Sequence, residues 1–252
     1  MDINNINIIF YILMGIGGII IGMFIDWANV RLPEYKKVFS KEFFTIYLRN
    51  FKPNYIILFT TAALSILVLF LIGWQSSTPA KLKLIKFLML TPLLISAFCI
   101  DKKLQIIPNR LNLCIFEVGL AFAFMHGMCN VYDGIEYLLG GLLGAGIFLL
   151  ITLIGGLIAG KEAMGFGDVK LMGALGLFFG WKMIIAVSLI AFLIAAISSI
   201  VLIVTKKKKT NEYIPFGPFI VIASFIVMLV PANVLIFSLL KIFTLGLYKG
   251  SI

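Results

Sequence analysis

The chain has 252 residues, of which 62% are hydrophobic and only 13% charged. A soluble globular chain is nearer half apolar and a quarter charged, so a soluble enzyme or a solvated binding module is excluded. Long apolar runs recur along the whole length, which predicts an all-α fold, a polytopic integral membrane helix bundle whose main partner is the lipid bilayer.

The first residues, MDINNIN, carry Asp2 and no Lys or Arg, and no small-residue cleavage site ends the apolar stretch that follows. This reads as a retained first span rather than a removable signal. Apolar segments then run at about 6–29, 54–73, 83–100, 112–127, 135–159, 169–181, 183–204 and 214–230. They predict about eight transmembrane helices, with a possible ninth at 233–247 after Pro231. The segments at 112–127 and 169–181 are short for a full crossing and are expected to pack inside the bundle or to open into a polar cavity. No internal repeat or low-complexity linker interrupts the chain, so residues 1–252 read as one domain, with a loop at about 31–53.

Orientation follows from the basic residues. Alternate loops hold Arg31, Lys36, Lys37, Lys41, Arg49 and Lys52; then Lys102, Lys103 and Arg110; then Lys161 and Lys170; then Lys206 to Lys209. These are fifteen of the 21 basic residues, against Lys81, Lys83, Lys86 and Lys182 in the opposite loops. The first set is placed in the cytoplasm and the N-terminus outside. The net charge of +10 is thereby a matter of topology, and no nucleic-acid partner is expected. The Lys81–Lys86 cluster runs against the rule. Lys206 to Lys209 read as an interfacial anchor, and Gly18/Gly22 and Gly140/Gly144 as places where helices approach closely.

Cys99, Cys114 and Cys129 have no C-x-x-C spacing, and His126 is the only histidine. No metal site is expected from them. The eleven acidic residues carry more information. Asp26, Asp101, Glu117, Glu162 and Asp168 lie in or beside apolar spans, where an ionisable group is costly and marks a function. Asp101 ends the third span and Asp168 starts the sixth, on the same membrane face. Two carboxylates brought together share a proton, so one serves as base while the other serves as acid. That pair can activate water against an amide. Gly165 and Gly167 would let a backbone approach Asp168. The alternatives are carboxylates paired with Lys161, Lys170, Lys102 or Lys103 for structure, or an ion or proton pathway. Asp26, five residues before Arg31, is expected to pair with a basic loop residue or to sit in a polar cavity.

GFGDVKLMGALG at 165–176 contains G-x-G-D and resembles the second catalytic segment of the type IV prepilin peptidases, a family of intramembrane aspartyl proteases. IDKKLQIIPNRL at 100–111 resembles the first, with an aspartate followed seven residues later by Pro and then Asn. GMFIDWANVRLP at 22–33 and IPFGPF at 214–219 resemble two further segments, in the same order. The resemblance runs from about residue 15 to 220. It implies an aspartyl endopeptidase of the bacterial cytoplasmic (inner) membrane, which cuts the short basic leader from type IV prepilins or pseudopilins at the cytoplasmic face, just before the substrate's hydrophobic helix. It implies Asp101 and Asp168 as the catalytic pair, and Gly165, Gly167, Lys170, Pro108 and Asn109 as support on the catalytic loops. Pro215, Phe216 and Gly217 are weaker candidates for the substrate path.

The departures from the family are informative. Residues 31–53 hold no cysteine, so the zinc site of many relatives is not expected, and the peptidase reaction needs no cofactor. Many members also N-methylate the new N-terminus with S-adenosylmethionine. In the segment associated with that activity Gly22 is kept, but the usual Ser and Asn are replaced by Met23 and Asp26, which leaves methyl transfer open. A signal-peptide-peptidase-like enzyme would carry Tyr before its first aspartate and a late Pro-Ala-Leu; here Ile100 precedes Asp101 and no Pro-Ala-Leu occurs. An ion- or proton-coupled transporter is the alternative from another class, but its site belongs near the bilayer midplane.

Overall fold

The structure is a computed structural model, and it describes residues 2–3, 6–47, 49, 53–75, 77–159, 164–205 and 214–243. Lys52, Lys161, Glu162 and the run Lys206 to Lys209 lie outside the described residues. A two-residue antiparallel ladder, β1 (Asp2–Ile3) with β2 (Ile6–Asn7), precedes eight α-helices among the described residues, with a short π-helical turn at Phe43–Tyr47 between the first two. The α-helices are α1 (Ile8–Arg31), α2 (Tyr55–Ile72), α3 (Thr78–Leu104), α4 (Asn109–Cys129), α5 (Val131–Ala159), α6 (Phe166–Val204), α7 (Gly217–Leu229) and α8 (Ala232–Phe243). Six of them, α1 to α6, are long and apolar enough to cross a membrane. The chain is a multi-pass membrane bundle.

All eight expected segments appear as helices, and two local features explain why only six helices are counted as long spans. The segments expected at 169–181 and 183–204 are the two limbs of α6, which meet at Gly180 with φ 75 and ψ 171. That backbone is essentially open only to glycine. Beyond it, Ile184 lies against Gly144 and Phe192 stacks on Phe148, so the second limb runs alongside α5. A straight helix of this length would be nearly 60 Å long at 1.5 Å per residue, about twice the bilayer core. The other feature is α7, which has 13 residues. The doubtful ninth span at 233–247 corresponds to α8 as far as Phe243, and residues 244–247 lie outside the described residues.

Helix contacts occur where side chains are absent. A Cβ on Gly18 would lie 2.6 Å from Ala62 Cα, so α1 and α2 touch backbone to backbone. Gly140 and Gly176 face each other in the same way between α5 and α6. Without a hydrophobic driving force between helices in lipid, such close approach is what gains dispersion energy.

Lys81, Lys83 and Lys86 are not in a loop: α3 begins at Thr78 and takes them in. Lys86 is 1% exposed and its Nζ lies 3.9 Å from the centre of the Tyr137 ring. Hydropathy scores every lysine as a water-facing charge, whereas a long stem and an aromatic partner let this one sit inside. The cluster therefore counts for less against the orientation than its sequence position implies. His126 packs beside Tyr137 at the same end of the bundle, ring centres 5.0 Å apart.

Candidate active site

α3 brings Asp101 to the end opposite Lys86. It stops at Gln105, whose φ of 57 and ψ of 31 turn the chain left-handed while its N–H closes onto Asp101 O at 2.8 Å. Three residues later Pro108 starts α4 as its N-cap residue; its carbonyl accepts the N–H groups of Leu111 (3.0 Å) and Asn112 (3.2 Å). Proline suits this place because the N–H it lacks would have no helical partner.

α6 opens beside this turn. Gly165 O accepts the Asp168 N–H at 3.0 Å, which sets Asp168 in the first helical turn. A Cβ on Gly167 would stand 3.3 Å from Ile107 Cβ, so the glycine allows the two loops to lie flat on each other. Asn112 Nδ2 donates to Gly167 O at 3.1 Å and ties α4 to the same loop. Lys170 Nζ donates to Asn109 Oδ1 at 2.8 Å.

The outcome is a pocket of about 340 Å³ lined by Asp101 and Asp168 together with Asn109, Gly165, Gly167 and Lys170. Gln105, Ile106, Ile107 and Phe166 complete it. Both aspartates are buried, each 4% exposed. Among the described residues neither forms an ion pair with a lysine or arginine. Asp101 Oδ2 and Asp168 Oδ1 are buried with no hydrogen-bond partner. A buried polar atom left unsatisfied costs about 1–3 kcal/mol, which a purely structural carboxylate would avoid by pairing.

Gly217, the first residue of α7, lies against Asp101. Its backbone lies by the Asp101 carboxylate, and a Cβ there would sit 2.5 Å from Oδ2. Phe216 faces elsewhere. Its ring meets those of Phe192 (5.2 Å), Phe148 (5.9 Å) and Phe219 (6.1 Å) and holds α7 onto α5 and α6. Pro215 is half-buried in the segment leading to α7 and does not line the pocket. Asn112, Gln105 and Phe166 are neighbours the motif reading missed. Asn112 alone carried a signal, as a polar amide within an apolar span.

Asp26 has its own pocket at the same end, about 500 Å³, lined also by Trp27, Arg31, Glu34 and Tyr47. Its Oδ2 accepts from Tyr47 OH at 2.8 Å and from Asn54 N at 3.2 Å. Of the two expectations for Asp26 the structure gives the polar cavity, because Arg31 is taken by Glu42. Burial, and then the bond to Asp26, pushes the Tyr47 hydroxyl above the usual tyrosine range, so it stays a donor. Lys36 beside Glu34 holds that carboxyl below its ordinary range.

Comparison with known proteins supports the motif reading. The family model for the type IV leader peptidase family matches residues 88–200. A prepilin leader peptidase/N-methyltransferase of Aeromonas hydrophila is 33% identical over 142 residues, 56% of this chain and 48% of its own. That of Aeromonas salmonicida is 32% identical over 171 residues, 67% and 55% respectively. That of Escherichia coli (strain K12) is 30% identical over 127 residues, 50% and 55%. The chain thus spans about half the length of the curated relatives it matches. No solved structure matches it. Residues 88–200, the stretch that holds Asp101 and Asp168, are thus similar to the type IV leader peptidase family.

Proposed function

We propose that the chain is an aspartyl endopeptidase, with Asp101 and Asp168 as its catalytic pair, that removes the leader from prepilins or pseudopilins. The observation that carries this is the shared pocket: two buried carboxylates from different helices line one cavity, and neither is paired with a lysine or arginine among the described residues. In the reaction one carboxylate takes a proton from water as its oxygen attacks the scissile carbonyl, and the other gives a proton to that carbonyl oxygen. The proton is then passed to the departing amine as the C–N bond breaks. The loop at Gly165 and Gly167, which lines the pocket, leaves room for a substrate backbone.

The cut is proposed to fall at the cytoplasmic face of a bacterial inner membrane. Arg31, Lys36, Lys37, Lys41, Lys102, Lys103, Arg110 and Lys170 all belong to the helix ends and loops on the dyad side, as the positive-inside rule asks of a cytoplasmic face. A transporter fits less well, since both aspartates stand at helix ends rather than at the midplane where carriers bind.

Methyl transfer is a second proposal, and the pocket at Asp26 is where it would reside. S-adenosylmethionine would supply an electrophilic methyl group on a cationic sulfur. Arg31 already covers the Trp27 ring and Lys36 is paired with Glu34, so Asp26 is the carboxylate of this pocket left to meet that charge. Mass spectrometry of the mature substrate decides it: one added methyl group supports the proposal and an unmodified amine refutes it.

For the peptidase, Asp101→Asn and Asp168→Asn should each abolish leader removal from a co-expressed precursor while the protein still purifies as a folded membrane protein. Full processing by either variant would end the dyad assignment.

A further inference from the structure

An apolar groove of about 790 Å³ runs down the bundle from the dyad end. Leu113 and Phe116 of α4 form one wall and Leu142 of α5 the other. Its floor is made by Ala145 and Gly173, where a Cβ on Gly173 would stand 3.0 Å from Ala145 Cβ. The wall side chains are exposed: Leu113 is 55% and Leu142 is 72% exposed. Asn109 and Lys170 line both this groove and the pocket of the aspartates, so the two spaces adjoin across the Lys170–Asn109 hydrogen bond.

We infer that this groove holds the apolar helix of the precursor, with the helix's N-terminal end at Lys170 and Asn109. The inference rests on the peptidase reading. Three features select this occupant. The groove adjoins the dyad pocket at one end, and its polar groups Asn109, Asn112 and Lys170 are gathered there. A precursor cut just before its apolar helix has the same order, polar and then apolar, across the scissile bond. The floor of small residues lets a second helix approach closely, the kind of contact that holds helices together in lipid. The wall from Asn109 to Leu120 is about 16 Å long at 1.5 Å per residue, which would seat about ten residues of the precursor helix. A lipid acyl chain is the competing occupant.

The test places a photo-crosslinking residue at Phe116 or Leu142, with Ile154 as control. Ile154 is on α5, 53% exposed, and does not line the groove. Crosslinking is done in membranes with a co-expressed precursor, in the Asp168→Asn background so that the precursor persists. Adducts to the precursor at 116 and 142 but not at 154 are expected. Equal labelling at 154, or adducts to lipid alone at 116 and 142, would overturn the groove assignment. Leu142→Trp, which narrows the groove, should raise KM for the full precursor by about tenfold and change kcat by less than about twofold. An unchanged KM in a folded variant argues against the groove, and if that variant does not fold the crosslinking decides. Processing by the Asp168→Asn enzyme itself would instead refute the peptidase reading.

Discussion

Replacing Gly217 by alanine tests the site without touching a titratable group. The added Cβ would lie 2.5 Å from Asp101 Oδ2 and 2.9 Å from its Cγ. That is about 1 Å short of ordinary van der Waals contact, and the group it meets is the Asp101 carboxylate in the last turn of α3. Either the carboxylate swings away from Asp168 or α7 lifts. A misplacement of about 1 Å in a catalytic group costs on the order of 100-fold in rate, equivalent to about 2.7 kcal/mol at 1.36 kcal/mol per tenfold. Helix propensity moves the other way, since alanine is favoured over glycine by up to about 1 kcal/mol. The expectation is therefore cleavage reduced about 100-fold, with any fall in the thermal unfolding midpoint limited because the propensity gain offsets part of the overpacking cost of about 1–3 kcal/mol. The assay is the initial rate of precursor cleavage in detergent, paired with thermal unfolding of the same sample. Wild-type cleavage by a folded Gly217→Ala protein would refute the claim that close packing at Gly217 holds Asp101 in place. Gly167→Ala gives a graded comparison: its Cβ would meet Ile107 Cβ at 3.3 Å, a lighter contact, so the loss should be smaller than for Gly217→Ala.

Two further predictions concern stability. Gly180→Ala forces a side chain into a backbone region essentially reserved for glycine, at about 1–3 kcal/mol, with Glu136 Cγ 3.2 Å away; the unfolding midpoint should fall, whereas Gly146→Ala, which meets nothing within 4 Å, should not lower it by more than a small amount. The Tyr47 hydroxyl keeps its proton in the folded protein beyond the point where the unfolded chain releases it. Stability from this contact is then complete below about pH 10, the ordinary tyrosine value, and falls as pH rises through and above it. Tyr47→Phe should lose about 1 kcal/mol at neutral pH and show a shallower alkaline decline in unfolding midpoint; an unchanged alkaline slope would mean that Tyr47 does not titrate differently on folding.

Much of this protein is decided by its sequence. A long apolar run has one stable form in a bilayer, a helix that satisfies its own backbone, so expected segments such as 54–73 appear as helices within a few residues: α2 spans Tyr55–Ile72. Asp101 and Asp168 stood out for a related reason, since a carboxylate beside an apolar span is too costly to be incidental. Tertiary structure decided what hydropathy cannot encode. Whether Lys86 faces water or a ring depended on Tyr137, 51 positions away in sequence. Whether 169–204 is one crossing or two limbs depended on φ at Gly180. Asp26 found Tyr47 and Asn54 instead of an arginine because Glu42 had already taken Arg31. The meeting of Asp101 with Asp168 was likewise settled by packing: Gly167 on Ile107, Asn112 on the Gly167 carbonyl and Gly217 against Asp101. Each is a contact between segments far apart in the chain, where the outcome is fixed by which backbones can approach closely, a property of pairs of helices that no single segment carries.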